Sequence, residues 1–414
     1  MLNVAINIVY VSLAVYFLYH RFYTGVLALI TIGSVLYSNA LSFIGISSGF
    51  LPIRYFVIIS LVALTIYESR EIIKIYNYKI IALLLGLVAL ITITNFYSDL
   101  PVSSVAPTFI RNIYVYTFIP AILFGYLFFI HYDIDKLLLA FLAIGILVSL
   151  FLLGNFSIGF FFQTGREFFD DITGLDTIGM SRLISLPLIV SFIFLLDEDK
   201  EKWIRVVSAF IVAVSILLVF TMGQRATVLG LTLALLAFYL FTNVDIVRKA
   251  SNLVLFSALV FFVIVIVGLD NLFILDRFQE LSSFASIQQM ERFYDYLESW
   301  ELAKQNYFVL GAGSMGYAFF TNLLRPYPHS ILLESLSDYG LIGLLLILAI
   351  IYYAVVYSIY IFKNGAHSEK AIPMLFIVSL VSALFSGSYE TNDYFFTFVA
   401  LLSPVYHHVR TRIE

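Results

Sequence analysis

Hydrophobic and polar positions along this chain alternate on the scale of whole helices. Apolar windows of about 17–22 residues follow one another, each bounded by charge, Gly or Pro, which is the length a helix needs to cross a hydrocarbon layer. Such windows begin near Leu2, Gly25, Phe50, Ile80, Ile113, Leu137, Leu183, Trp203, Ala226, Leu253, Leu341, Ala371 and Tyr394. The first two and the last two can each be read as one broken pair. The pattern therefore predicts an all-α polytopic membrane protein with about 12–13 transmembrane helices. The window Leu2–Tyr19 lacks a basic flank before it and a small-residue cleavage site after it, so it reads as a retained span.

Two stretches interrupt the pattern, 154–182 and 270–340. They are expected to form a cap over one face of a single membrane domain spanning 1–414. The first carries F-F-Q-T-G-R-E-F-F-D-D-I-T-G, too polar to span and too aromatic to be disordered. In the second, Phe293, Tyr296, Leu297 and Trp300 recur at i, i+3, i+4 and i+7, one apolar helical face, with Asp295, Glu298 and Glu301 turned away. A glycine-rich turn follows at Gly311, Gly313 and Gly316, where backbone can approach another group closely. Pro326 and Pro328 stiffen the approach to His329. Beyond it, Leu332, Leu333 and Leu336 share one side of a predicted surface helix, and Ser330, Glu334 and Ser337 the other. Gly340 and Gly343 then open the next span.

Composition sharpens the class. Of 414 residues 61% are hydrophobic and 12% charged; soluble domains carry about twice that charge. With a mean hydropathy of +0.98, the chain cannot cover itself with polar surface. Zero cysteines exclude disulfides, thiol catalysis and thiolate metal ligands, and a net charge of −4 argues against a nucleic-acid partner.

Orientation follows from the basic residues. With the 270–340 loop outside, fourteen of the 23 Lys and Arg fall inside. The nine outside are Arg54, Arg111, Arg166, Arg182, Arg225, Arg277, Arg292, Lys304 and Arg325, almost all Arg. Arg stays charged when partly desolvated and presents a planar fork of donors, which suits an anionic headgroup or a diphosphate. The plainer alternative is snorkelling, or pairing with outer Asp and Glu.

Within this set, Arg225 stands in T-M-G-Q-R-A-T between two apolar runs, where a cation costs energy unless an anion answers it. Arg292 lies near the polar edge of the Trp300 helix. His329 is the single histidine on the outer side, suited to general-base or phosphate-contact duty or, equally, to capping the helix that begins at Ser330. Asp170 and Asp171 have no matched His/Asp cluster, so no metal or other cofactor is expected. The G-A-G-S-M-G run follows no strand and is not a nucleotide loop.

Together, the R-A-T turn at Arg225, the R-x(7)-W helix at Arg292–Trp300, the G-x-G turn, and Y-P-H-S-I-L-L-E-S-L-S-D-Y-G-L-I-G resemble the O-antigen ligase/polymerase superfamily of bacterial envelope glycosyltransferases. The resemblance implies a metal-independent enzyme of the bacterial inner membrane working on the periplasmic face, with an undecaprenyl-diphosphate-linked oligosaccharide as donor. It assigns the catalytic roles to Arg225, Arg292 and His329. Arg166, Arg182, Arg325, Trp300 and Glu334 would contact substrate, and a chain-length regulator protein is a candidate partner. Where the family has Asn after the His and Ser before the Arg, this chain has Ser330 and Gln224. The Y-P-H-x-x-x-L-E pattern leans toward the Wzy-type repeat-unit polymerases, with the ligases next. A transporter or flippase is a third reading; it needs a mid-span site and internal repeats, which the sequence does not offer.

Overall fold

The computed structural model describes residues 2–31, 60, 78–97, 110, 113–155, 177–221, 224–242, 291–304, 308–321, 327–386, 388–389 and 391–414. The described residues form helices and their connections, with no strand among them. In chain order the helices are α1 (Leu2–Tyr19), α2 (Tyr23–Thr31), α3 (Tyr78–Tyr97), α4 (Ile119–Ile130, entered through a π-helical turn at Ile113–Phe118), α5 (Ile134–Asn155), α6 (Thr177–Leu196) and α7 (Lys202–Thr221). They continue with α8 (Arg225–Phe241), α9 (Glu291–Lys304), α10 (Gly316–Phe320), α11 (Ile331–Asn364), α12 (Ala371–Phe385) and α13 (Asp393–Ile413). Seven of the described helical segments are long and apolar enough to cross a membrane. The spans expected near Phe50 and Leu253 lie outside the described residues.

Helix α6 is the buried axis, packed against α5, α7 and α12, while α8 packs on α12 and α4 on α13. The outermost helices turn apolar side chains outward instead: Val206, Val207 and Phe210 on α7, and Ile342, Leu345, Leu348 and Tyr352 on α11. That is the arrangement hydrocarbon demands, because backbone polar groups close within each helix and aliphatic surface faces lipid.

Helix α11 is broken. Gly340 sits at φ 67°, ψ −166°, so residues 331–340 and 341–364 are two helical pieces meeting at the point where the sequence pattern opens the next span. A break strands backbone groups, and here the segment 308–313 pairs with them. Ala312 and Gly313 donate to the carbonyls of Ser337 (3.0 Å) and Asp338 (2.8 Å), and Leu341 donates to Phe308 O at 2.7 Å. The two backbones lie so close that both crossing points must be glycine. A Cβ on Gly340 would stand 2.3 Å from Val309 O, and one on Gly311 (φ 76°) 2.3 Å from Asp338 O. The Asp338 carboxyl completes the join, accepting from the backbone N–H of Met315 and Tyr317, both at 3.0 Å.

This geometry corrects two expectations. The 331–340 piece does not turn its polar side to solvent: Glu334, Ser335, Ser337 and Asp338 are all buried, while Leu332 and Leu333 are half-exposed. Helix α9 departs from the expected faces in part, with Phe293 and Tyr296 half-buried and Glu301 exposed as the pattern suggests. Asp295 and Ser299 face the protein, whereas Leu297 and Trp300 point outward. Each buried polar group has a partner, Tyr317 OH donating to Asp295 Oδ1 at 3.0 Å and Ser299 Oγ to Leu333 O at 3.2 Å. Polar groups gather where hydrogen bonds await them, and apolar ones face the apolar solvent.

Two outcomes test the join. Gly340→Ala is expected to destabilise the detergent-solubilised protein by about 3 kcal/mol or more, from left-handed strain and overpacking together. Thermal unfolding reads this against Gly86→Ala, where the added Cβ meets only Leu346 Cδ2 at 3.9 Å and little should change. Asp338→Asn keeps one acceptor oxygen and turns an NH2 toward a backbone N–H. Amide exchange at Met315 and Tyr317 is expected to quicken about tenfold or more, with the amides of α6 as the unchanged internal reference.

Candidate functional site

Among the described residues, Asn95, Arg182, Arg225, His329 and Glu334 lie at one end of the bundle, built by the first turns of α6, α8, α11 and α13 and the last turns of α3 and α12. Arg225 is the first residue of α8, after Gln224 in extended conformation, and is half-buried. A guanidinium at this position sits with the partial positive charge of the helix N-terminus, so the pair favours an anion in front of it. Two residues on, Thr227 Oγ1 and Ser181 Oγ share a buried hydrogen bond of 2.7 Å. This contact joins α8 to α6 at the level of Arg182.

Arg182 is not the flank of a polar loop. Helix α6 begins at Thr177, and Arg182 lies inside it, 5% exposed. Its guanidinium binds the turn between α12 and α13. Nε donates to Ser382 Oγ (2.6 Å), Nη1 to Thr391 O (2.6 Å), and Nη2 to Asn392 Oδ1 (3.1 Å) and Ser386 O (3.3 Å). A planar fork with five donors can close such a turn where an ammonium cannot. Burial of the cation is balanced by carbonyl and side-chain oxygens.

That turn carries Tyr389, which links the remaining helices. Its backbone N–H donates to Glu334 Oε2 at 2.9 Å, its carbonyl accepts from Thr117 Oγ1 at 3.0 Å, and its hydroxyl shares a 2.6 Å bond with Ser335 Oγ. The ring packs against Phe118, Phe396 and Tyr339. Burial holds the Tyr389 phenol well above its usual pKa, so it remains a neutral hydrogen-bonding group. Tyr339 in turn shares a bond with Ser314 Oγ (2.8 Å), and Ser314 exchanges two 3.0 Å bonds with the side chain of Asn95 at the end of α3. Glu334 is thus buried, with its carboxylate on the backbone of this turn.

His329 stands five residues before Glu334, half-buried, with its ring edge-on to Tyr327 at 4.7 Å. Its φ of 53° is left-handed, a conformation that a non-glycine residue holds only where its surroundings over-determine it. The helix cap is Ser330, one residue later, so His329 precedes the cap. Helix α9 is attached beside this first turn of α11 through the Ser299–Leu333 contact. Trp300 is on its outward side, with the Lys304 ammonium 5.3 Å from its ring centre. Arg292 opens the same helix. Its position is in register with Ser299 and Ala303, the face turned to the protein, and its side chain lies outside what is described.

Arg182, Arg225, His329 and Glu334 therefore gather at one end, with the backbone of α9 alongside. Arg166, Arg325, Asp170 and Asp171 lie outside the described residues. Asp338, Tyr389 and Asn95, which sequence reasoning passed over, belong to the construction as well, and so does Asp295, which the pattern turned away from the apolar face and the structure buries. Only Asp338 had a readable signal, an acid placed just inside an apolar run. Among the described residues, no group of three or more His, Asp or Glu side chains is arranged to hold a metal ion. The opposite end of the bundle holds Lys136, Lys200, Lys202, Arg205, Lys363, Lys370, Arg410 and Arg412.

No curated protein matches the chain. Residues 209–348 match the family model described as O-antigen ligase, a stretch that includes Arg225, α9, the glycine turn, His329 and the break at Gly340. Over residues 209–348, then, the chain is similar to the O-antigen ligase family.

Proposed function

We propose that the protein is a polymerase of envelope polysaccharide, which moves a growing glycan from its undecaprenyl diphosphate onto the next lipid-linked repeat unit at the periplasmic face of the inner membrane. The observation that carries this reading is the placement of Arg225, at a helix N-terminus, and His329, held in a left-handed backbone, at the same end of the bundle, opposite Lys136, Lys200, Lys202, Lys363 and Lys370. A cation backed by helix N–H groups favours negative charge in front of it, and in this reaction that charge develops on the departing diphosphate. The acceptor hydroxyl oxygen bonds to the anomeric carbon as the bond from that carbon to the diphosphate oxygen breaks. The electron pair leaves with the lipid diphosphate. The hydroxyl proton passes to His329 or, with His329 holding a phosphate oxygen, to the diphosphate itself.

Arg292, Arg166 and Arg325 would add positive charge around the diphosphate, and Trp300 would meet glycan or lipid. For Arg182 and Glu334 the hydrogen bonds above favour an indirect part. Arg182 would hold the turn at 386–392, and Glu334 would bind that turn to the helix following His329. The ligase reading stands second, favoured by the description of the matching family. It places polymer on a lipid A–core acceptor with the same donor chemistry.

The lipopolysaccharide gel of a strain lacking this protein separates the two. A core bearing one repeat unit, with the ladder gone, is expected for the polymerase. Bare core with polymer stranded on its carrier would mean ligase, and an unchanged ladder would overturn both for this polysaccharide. In complementation of that strain, Arg225→Ala and His329→Ala are each expected to lower polymer formation by about 10²–10³-fold at equal protein level, the usual effect of removing one preorganised charge contact or proton carrier. Arg182→Lys is expected to impair activity and to open the turn after α12 to limited proteolysis. A single ammonium cannot replace four separate donor contacts.

A further inference from the structure

Of the outward face of α9 the chemistry above uses only Trp300, as a contact to glycan or lipid, yet the face carries further exposed apolar side chains beside the Glu301–Lys304 ion pair. Tyr294, Leu297 and Trp300 are 52%, 47% and 43% exposed and lie within an arc of about 120°. The opposite arc, Asp295, Ser299, Leu302 and Ala303, is buried against the rest of the protein. Leu302 closes on Ala312 and Tyr317, so α9 packs directly on the 308–321 segment. That segment brings a second exposed apolar run: Phe308, Val309 and Leu310.

The run is not isolated. Leu341 and Ile342 donate to the carbonyls of Phe308 and Val309, at 2.7 and 3.4 Å. The exposed run therefore sits at the head of the outward stripe of α11, Ile342, Leu345, Leu348 and Tyr352, which faces lipid. Aliphatic side chains this exposed do not make a sugar platform, which needs polar donors around an aromatic face. A Trp and a Tyr at the top of a lipid-facing stripe, interleaved with the ion-paired Glu301 and Lys304, match the aromatic belt of membrane proteins, where apolar rings and charged groups share the headgroup region.

We propose that the outward face of α9, with Phe308–Leu310, is a membrane-interface anchor: Tyr294, Leu297 and Trp300 lie in the headgroup region of the leaflet next to the site. The occupant of the patch is the bilayer surface, not glycan and not a second protein. The anchor holds the first turn of α9, and with it position 292, at headgroup depth, where a lipid-borne diphosphate would travel. It stands whether the enzyme polymerises or ligates.

The chain has two tryptophans, so each can be read alone. Trp203→Phe protein in phosphatidylethanolamine/phosphatidylglycerol vesicles leaves Trp300 as the reporter. Its emission is expected to be shielded from aqueous iodide. Quenching by lipids brominated near the headgroup end of the acyl chain should exceed that by lipids brominated near the terminal methyl by about twofold or more. Should Trp203→Phe fold poorly, subtracting the Trp300→Phe spectrum from that of the unaltered protein yields the same signal. Strong iodide quenching with no bromolipid effect would overturn the proposal in favour of a water-facing glycan surface. Insensitivity to both quenchers would overturn it in favour of a covering protein, a second copy included. Quenching strongest from the chain end would place Trp300 in the bilayer core, which also overturns it.

Discussion

The structure depends on one broken helix and on what fills the break. A helix entering hydrocarbon cannot leave backbone groups unpaired, yet α11 turns through a left-handed glycine at Gly340 just as its apolar run begins. The segment 308–313 supplies the missing partners, and the carboxyl of Asp338 supplies two more acceptor contacts to the 315–317 backbone. From this join the rest of the site end follows. The segment that repairs the break carries Ser314 to Asn95 and Tyr317 to Asp295, so one defect in α11 recruits α3, α9 and α10. Non-helical backbone is tolerated here because its N–H and carbonyl groups are paired with those of α11.

The two ends of the bundle use buried charge differently. At the site end, Arg182 and Glu334 are each answered by hydrogen bonds to the turn at 386–392, and that turn sits between them. At the other end a direct pair is made, with Arg412 Nη2 3.0 Å from Glu369 Oε2. Tyr132 OH donates to the same carboxylate at 2.9 Å while its ring stacks on His408. Burial and the neighbouring Glu369 carboxylate push the Tyr132 phenol far up, so it keeps the proton it donates. The Glu369 clamp ties α4, α12 and α13 together in one arrangement. The site end uses a short turn held on an arginine fork.

The pattern of apolar windows carried much of the architecture. The beginnings expected at Leu2, Ile113, Trp203, Ala226, Ala371 and Tyr394 fall on or within a residue or so of observed helix starts, and the opening of a span at Leu341 is the second piece of α11. The arginine at Arg225, the histidine after two prolines and the glycine-rich turn lie together in the stretch that matches the family. What misled was the rule that the apolar face of an amphipathic helix points inward. It holds in water, and it failed for α9 and for residues 331–340, because here the surrounding solvent is itself apolar.

By itself, then, the sequence determined that the chain spans a membrane as helices, where α11 breaks, and which loop holds the cation, the histidine and the close-packed glycines. Run length, charge type and glycine placement are local properties, written residue by residue. Tertiary structure alone decided that Arg182 belongs to a helix and binds the turn after α12, that Glu334 and Asp338 face inward onto backbone N–H groups, and that Trp300 faces outward. Each of these rests on a partner far away in sequence: Thr391 for Arg182, Tyr389 for Glu334, Tyr317 for Asp338. A buried polar group goes where its hydrogen bond is, and no periodicity in the chain encodes that address.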